Sequence, residues 1–180
     1  MILGSAAADT RYRIRVAQRE DLPAIVAIYN ATIPSRMVTA DLVPISVNDR
    51  LPWFEAHAPA TRPIWVACAN GSDEIAAWLS FDTFYPRAAY DGTAMLALYV
   101  AEKHRRSGLG KLLLNRALAA APGLGLHTLL GYIFGHNAPS LGLFESHGFT
   151  RWGTFPRVAV LDGVERDLII VGRQIGRAHV

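Results

Sequence analysis

One stretch constrains the fold more than any other: Ala94-Met-Leu-Ala-Leu-Tyr-Val-Ala-Glu-Lys-His-Arg-Arg-Ser-Gly-Leu-Gly-Lys-Leu-Leu-Leu114. Met95 to Val100 is a short apolar run with aromatic and branched members, the pattern of a buried strand. Ala101 to Ser107 is polar and mostly charged. Gly108 and Gly110 then open a helix. Its apolar positions, Leu109, Leu112, Leu113, Leu114, Ala117 and Leu118, fall largely on one face. Glycines at such a turn let the backbone close on a ligand with its N–H groups turned inward. The unpaired amides of the first helical turn and the positive end of the helix dipole face the same point. Lys103, Arg105, Arg106 and Lys111 add charge around it. These features predict an anion site, for which a pyrophosphate is the natural guest.

The glycine spacing excludes two common phosphate motifs. A P-loop needs a wider gap between its glycines and a Lys-Ser/Thr end. A dinucleotide fingerprint needs a third glycine three residues after Gly110, where Leu113 stands. What remains is Arg105-x-x-Gly108-x-Gly110 after an apolar strand. That spacing resembles the acetyl-CoA pyrophosphate loop of the GNAT superfamily of N-acetyltransferases. The plain alternative is a strand–turn–helix with a solvated basic turn.

The rest of the composition narrows the classes. A length of 180 residues suits one domain, and 51% hydrophobic residues can supply its core. Only 18% of residues are charged, which argues against disorder over most of the chain. The net charge is +3 and the pI about 9.3, with the basic excess gathered at the glycine turn. A compact anionic ligand explains this better than a nucleic-acid face, which needs a broader basic stripe. No apolar stretch is long enough to span a bilayer, so no membrane partner is expected. Cys68 is the only cysteine, so no internal disulfide can form and a reducing, cytoplasmic setting is expected. Its apolar neighbours make it a small core residue rather than a nucleophile. Residues 1–10 lack the basic start and long apolar centre of a signal peptide and read as a loose N-terminal arm. Residues 11–176 read as the single domain and residues 177–180 as a tail.

Taken in order, Tyr12 to Val16 reads as a first strand. Glu20-Asp21-Leu-Pro23 starts a helix, with acids in its first turn and Pro where no N–H bond is lost. Ser46 caps a second helix running to about His57. Ile64 to Ala69, an Asn70-Gly71 turn and Ile75 to Phe84 form a hairpin. The central strand, loop and helix follow. Thr128 to Ile133 is another buried strand. Asn137-Ala-Pro-Ser140 caps a short helix over Leu141 to His147, which Gly148 terminates. Phe149 to Val160 and Glu165 to Gln174 flank the hairpin turn Asp162-Gly163. The class is α/β: a mixed sheet of about seven strands with about four helices on its faces.

That order also matches the GNAT fold, so the resemblance covers nearly the whole chain. Asn137-x-x-Ser140-x-x-Leu143-Phe144-x-x-x-Gly148-Phe149 looks like the superfamily's second cofactor motif. Tyr29-Asn30 with Ile33, Arg87-Ala-Ala-Tyr90-Asp91, Leu98-Tyr99-Val100 and the last hairpin resemble the phosphinothricin-acetyltransferase-like branch. The resemblance implies acetyl-CoA as co-substrate and a small, amino-acid-like primary amine as acceptor. It places the pantetheine arm and the thioester carbonyl on the backbone of Leu98, Tyr99 and Val100. The pyrophosphate falls to Arg105 and to the amides of Arg106, Ser107, Gly108, Leu109, Gly110 and Lys111. Asn137 either caps its own helix or meets the pantetheine arm, and Ser140 sits in the first turn beside it. Arg87 matches the family arginine that meets the acceptor's carboxylate, with an exposed loop charge as the alternative. Tyr90, Ile33 and Met37 are the expected pocket wall. Family members are commonly homodimers.

Two positions depart from the family. Met95 stands where the family carries its candidate general base, a Glu, and Phe144 where proton-handling Tyr or His side chains stand. The amine is then expected to arrive neutral, or to lose its proton through water to a backbone carbonyl or Tyr90. The pH–rate profile should follow the substrate's own amine. These losses also open the alternative of an acyl-CoA-binding module without catalysis. Acetylation of protein N-termini is a third reading. His104, His127, His136 and His147 show no ligand-like spacing, so no metal is expected.

Overall fold

Seven consecutive buried residues, Ile75 to Phe81, mark the centre of the sheet. A strand is buried on both sides only where helices cover both faces. In the computed structural model, which describes residues 11–176, this strand is β3 (Ile75–Thr83). The expected arm and tail lie outside the described residues. The other strands are β1 (Tyr12–Val16), β2 (Ile64–Ala69), β4 (Thr93–Val100), β5 (Thr128–Phe134), β6 (Thr150–Leu161) and β7 (Val164–Gln174). They form one seven-stranded sheet in the order β1-β2-β3-β4-β5-β7-β6. Only the β4–β5 pair is parallel. The helices are α1 (Leu22–Asn30), α2 (Val47–Glu55), α3 (Leu109–Ala120) and α4 (Ala138–Glu145).

Alternation along the strands divides the core in two. Val66, Cys68 and Trp78 join Ile25, Ile28 and Tyr29 of α1 beneath one face. Trp65, Ala67, Leu79 and Phe81 join Leu109, Leu113, Leu114 and Ala117 of α3 beneath the other. Trp78 is fully buried, stacks on Tyr99 at 4.5 Å between ring centroids, and donates from Nε1 to the Ile25 carbonyl at 3.1 Å. Cys68 is a buried free thiol.

Local chemistry sets the element ends. Ser46 and Asp49 form a reciprocal capping box on α2. Asn137 caps α4 by accepting from the Ser140 amide at 3.2 Å. That helix starts at Ala138, three residues before the expected Leu141, because Pro139 fits its first turn. Asp162 and Gly163, both with positive φ, close the last hairpin as their spacing predicts. The β2–β3 connection turns at Gly71, with φ 78°, between strands that have the expected inner bounds, Ala69 and Ile75. Ser72 donates to the Ala69 carbonyl, and the loop extends through residue 74. Polar Ser72, Asp73 and Glu74 gain nothing by extending a buried strand.

Near β1, Arg15 grips Asp21 with two hydrogen bonds of 2.6 and 2.9 Å, and the Gln18 amide adds a third at 2.7 Å. Burial pushes the Asp21 carboxyl up, but these donors outweigh it and hold the group below the usual carboxylate range. The contact fixes the chain's entry into α1.

Candidate active site

The parallel pair β4–β5 is the origin of the site. Its register runs only from Thr93↔Thr128 through Met95↔Leu130, after which the strands part. The opposite side of β4 stays paired with β3 in unbroken register from Ala94 to Val100. The Gly92 carbonyl accepts from Thr128 on the β5 side, while the Ala101 amide donates to Ala76 on the β3 side. With a period of two, the backbone groups of Leu98 and Val100 face the gap. Those of Tyr99 turn to β3. Tyr99 therefore presents its ring, not its backbone, to the site.

A cavity of about 940 Å³ fills this gap. At one end lies the glycine turn. Arg106 and Gly108 both have positive φ, 60° and 82°, which swings successive N–H groups to one side. Leu112 makes the first bond of α3 to the Gly108 carbonyl at 3.0 Å. The preceding amides of Leu109, Gly110 and Lys111 belong to the helix turn that has no internal acceptors. Gly110 also lets α3 approach α4, since a Cβ there would stand 3.2 Å from Leu143 Cδ2. Arg11 ties the turn to β1 through the Ser107 carbonyl at 2.8 Å. The Ser107 hydroxyl is bonded to the His104 carbonyl, so only its amide faces outward chemistry.

Of the residues singled out from sequence, Leu98, Tyr99, Val100, Arg105, Arg106, Gly108, Leu109, Gly110, Lys111, Asn137 and Ser140 line this one cavity. Asn137 lines the cavity and caps α4 with Oδ1, so its Nδ2 donor is not used by the cap. Met95 and Phe144 line it too. Phe144 is 5% exposed and packs edge-on against Phe149, so an apolar partner on α4 stands where a proton donor was sought.

The far wall is the loop after α1. Met37 and Val38 face the cavity, whereas Ile33 is 3% exposed and packs into the α1 core instead. The loop is held from several sides. Tyr29 bonds Thr39 and Asp41, Arg36 Nε donates to Asp162 at 2.7 Å, and His136 Nε2 donates to the Arg36 carbonyl at 2.8 Å. Arg87 and Tyr90 lie outside the cavity lining. They belong to an exposed turn where Tyr90 meets Phe84 and Tyr85, and Arg87 lies 5.8 Å from the Tyr85 ring centre.

The cavity also exposes a group that sequence reading passed over. Asp82 on β3 stands directly opposite Met95 and contributes to the lining. Its signal was present: Trp78, Ser80 and Asp82 share one parity of an otherwise apolar strand.

A family comparison matches residues 25–149 to the acetyltransferase (GNAT) family. The chain belongs to that family. Among GNAT relatives, the Bacillus subtilis (strain 168) protein named "Putative phosphinothricin acetyltransferase YwnH" is 51% identical over 162 residues, covering 90% of this chain and 98% of the relative. An L-methionine sulfoximine/L-methionine sulfone acetyltransferase of Pseudomonas paraeruginosa is 34% identical, covering 86% and 90%. The solved GNAT structure of yncA from Salmonella typhimurium with its cofactor acetyl-CoA superposes with a TM-score of 0.84 at 29% identity, covering 94% of this chain and 97% of that one. The seven-stranded mixed sheet with four helices is the GNAT fold expected from the order of elements. Among the described residues no cluster of three or more His, Cys, Asp or Glu side chains is disposed to hold a metal, and no helix is long and apolar enough to cross a membrane.

Proposed function

We propose that this chain is an acetyl-CoA-dependent N-acetyltransferase acting on a small, amino-acid-like primary amine of the phosphinothricin or methionine sulfoximine type. The observation that carries the reading is the continuity of the cavity, from the basic glycine turn along the open edge of β4 to the Met37 wall. The pyrophosphate of acetyl-CoA sits on the amides of residues 106–111, with Arg105, Arg106 and Lys111 around it. The pantetheine arm runs along β4, where the free groups of Leu98 and Val100 bond its amides, and Asn137 Nδ2 meets it from α4. A backbone N–H on this edge polarises the thioester carbonyl, the preorganised-donor effect that lowers acyl-transfer barriers. The acceptor amine approaches from the side of Met37, Val38 and Tyr99. The names of the relatives support the acceptor class.

The test is a panel of amines with acetyl-CoA, reading free CoA thiol and the acetylated product by mass spectrometry. Free amino acids and their sulfoximine or phosphinic analogues should release thiol. Acetyl-CoA binding without amine-dependent release would leave a binding module, and a preference for peptides would indicate a protein N-terminal acetyltransferase.

Arg87, on the exposed turn between β3 and β4, is the proposed reader of the acceptor's carboxylate. Arg87→Ala should then raise the acceptor KM at least tenfold, the about 1.5–3 kcal/mol of a hydrogen bond to a charged group. An unchanged KM and kcat would leave Arg87 a surface charge over Tyr85.

The protein is further proposed to be a cytoplasmic homodimer. Trp152, Phe155, Val158, Val160 and Val164 leave an apolar surface exposed on the β6–β7 hairpin, which supports the dimer, and the one cysteine, Cys68, forms no disulfide, which suits a reducing compartment. Sedimentation velocity showing only monomer, or fractionation with membranes, would refute this.

A further inference from the structure

We propose that Asp82, backed by His57, is the base that takes the acceptor's proton, replacing on β3 the carboxylate that relatives are expected to carry at the Met95 position on β4. The proposal rests on the acetyltransferase reading of the cavity. In the unbroken register Asp82 and Met95 are cross-strand partners, so their side chains leave the same face with Cβ atoms roughly 5 Å apart. A carboxylate moved from one to the other stays within reach of the same point.

The surroundings of Asp82 are built to hold a charge there. Trp53 Nε1 donates to Oδ1 at 2.8 Å and the Ser80 hydroxyl to Oδ2 at 2.7 Å. His57 Nε2 lies 3.2 Å from Oδ1. A carboxylate has about four acceptor sites, so the two donors, Trp53 and Ser80, leave room for a ligand in the cavity. Burial pushes the carboxyl up, but His57 whenever its Nε2 is protonated, together with the Ser80 and Trp53 donors, outweighs it and holds the group below the usual range. Asp82 is thus ionised at neutral pH, and the side chain is still 22% exposed, on the cavity side.

His57 supplies what a strongly acidic carboxyl lacks. Its Nδ1 lies 2.7 Å from the Trp53 carbonyl. A carbonyl only accepts, so Nδ1 carries a proton. Nε2 is buried and has no well-angled hydrogen-bond partner, with its side chain only 9% exposed. A proton arriving at Asp82 therefore has a vacant nitrogen 3.2 Å behind it. The other ionisable groups around the pair are Tyr99 on β4, Tyr29 on α1 with its partner Asp41, and Arg50 on α2, which lies over Trp53 at 4.2 Å. Burial pushes the Tyr99 phenol well above the ordinary tyrosine value, which removes it as a base at neutral pH.

The step balances as follows. The ammonium of the acceptor gives one proton to Asp82, which passes it to His57 Nε2. The freed nitrogen lone pair attacks the thioester carbon, the C–N bond forms, and the C–S bond breaks with its electron pair on sulfur. The second proton leaving nitrogen goes to the thiolate, giving the acetamide and CoA thiol. The proton on His57 returns to water.

The experiment measures kcat across pH with two acceptors of different amine pKa. Both should share one acidic limb at the same pH, because it belongs to the enzyme's Asp82–His57 pair and not to the amine. Asp82→Asn should lower kcat by about 10²–10⁴-fold, the usual contribution of a positioned base, with acetyl-CoA affinity unchanged. The deficit should shrink for the amine of lower pKa, and adding Met95→Glu to Asp82→Asn should restore much of the rate. His57→Gln keeps the carboxylate and should displace the shared acidic limb, which serves if Asp82→Asn fails to fold. An unimpaired Asp82→Asn, or a wild-type limb that tracks each acceptor's own pKa, overturns the base while leaving the acetyltransferase standing. A wild-type protein that binds acetyl-CoA yet acetylates no amine overturns both.

Discussion

Gly108→Val should leave a folded protein that binds acetyl-CoA at least tenfold more weakly. Gly108 sits at φ 82°, just before α3. A missing Cβ there has open space, with Arg11 Nη2 the nearest atom at 3.9 Å, so the effect is not a clash. It is conformational. A β-branched residue in the left-handed region costs about 1–3 kcal/mol. The loop can shed that strain only by rotating the peptide units on either side. Those units carry the amides of Gly108 and Leu109, which the proposed pyrophosphate seat needs pointed at one spot. Calorimetric titration of acetyl-CoA, beside a thermal melt, separates the two outcomes. An unchanged Kd in a folded variant would show that the turn is only a basic bend. In the parent, affinity should fall as salt is raised, because the surrounding charges are partly exposed and screened by ions.

The second large effect concerns stability. Trp78→Ala should cost about 3–5 kcal/mol, as large-to-small changes in a closed core do. Trp78 is 0% exposed and touches three elements. It stacks on Tyr99 of β4, meets Trp53 of α2 edge-on at 5.5 Å between centroids, and bonds the Ile25 carbonyl of α1. Alanine would empty a site that no neighbour can fill without moving a helix. Trp78→Phe keeps the stack and removes only the indole's extra bond to the Ile25 carbonyl, which stays within α1, for a smaller loss of about 0.5–1.5 kcal/mol. Urea unfolding gives the order. A loss below that of the phenylalanine variant would mean that α1 settles onto the sheet. The alanine variant should also lower turnover, because the Tyr99 ring that walls the acceptor side loses its support.

The sheet and its helices were legible because their signals are local. Alternation marks β1, an unbroken apolar run marks β4, and Asn137, Ser46 and Asp162-Gly163 announce their own caps and turn. The glycine turn was legible for the same reason, since its chemistry lies within a few consecutive residues. The acceptor side was not. Ile33 and Met37 sit four residues apart, yet one enters the core and the other the cavity, a choice made by tertiary packing. Asp82 and His57 lie 25 positions apart in sequence and meet only because α2 docks beneath β3. No spacing rule encodes such a meeting. The role of Tyr99 turned on backbone parity relative to β3, which needs the register and not the residue type.

The early end of the β4–β5 ladder makes the free protein an unfinished sheet. Water must satisfy the inner edge of β4 until something extended lies along it, and the pantetheine arm has the length and the amides to act as that absent strand. Ligand capture is then also completion of the fold. A ligand that binds only the native state at a hundred times its Kd adds about 2.7 kcal/mol of stability. Amide hydrogens of Leu98 and Val100 should be among those whose exchange with solvent slows most on saturation, and the two halves of the sheet should melt less independently once the gap is closed.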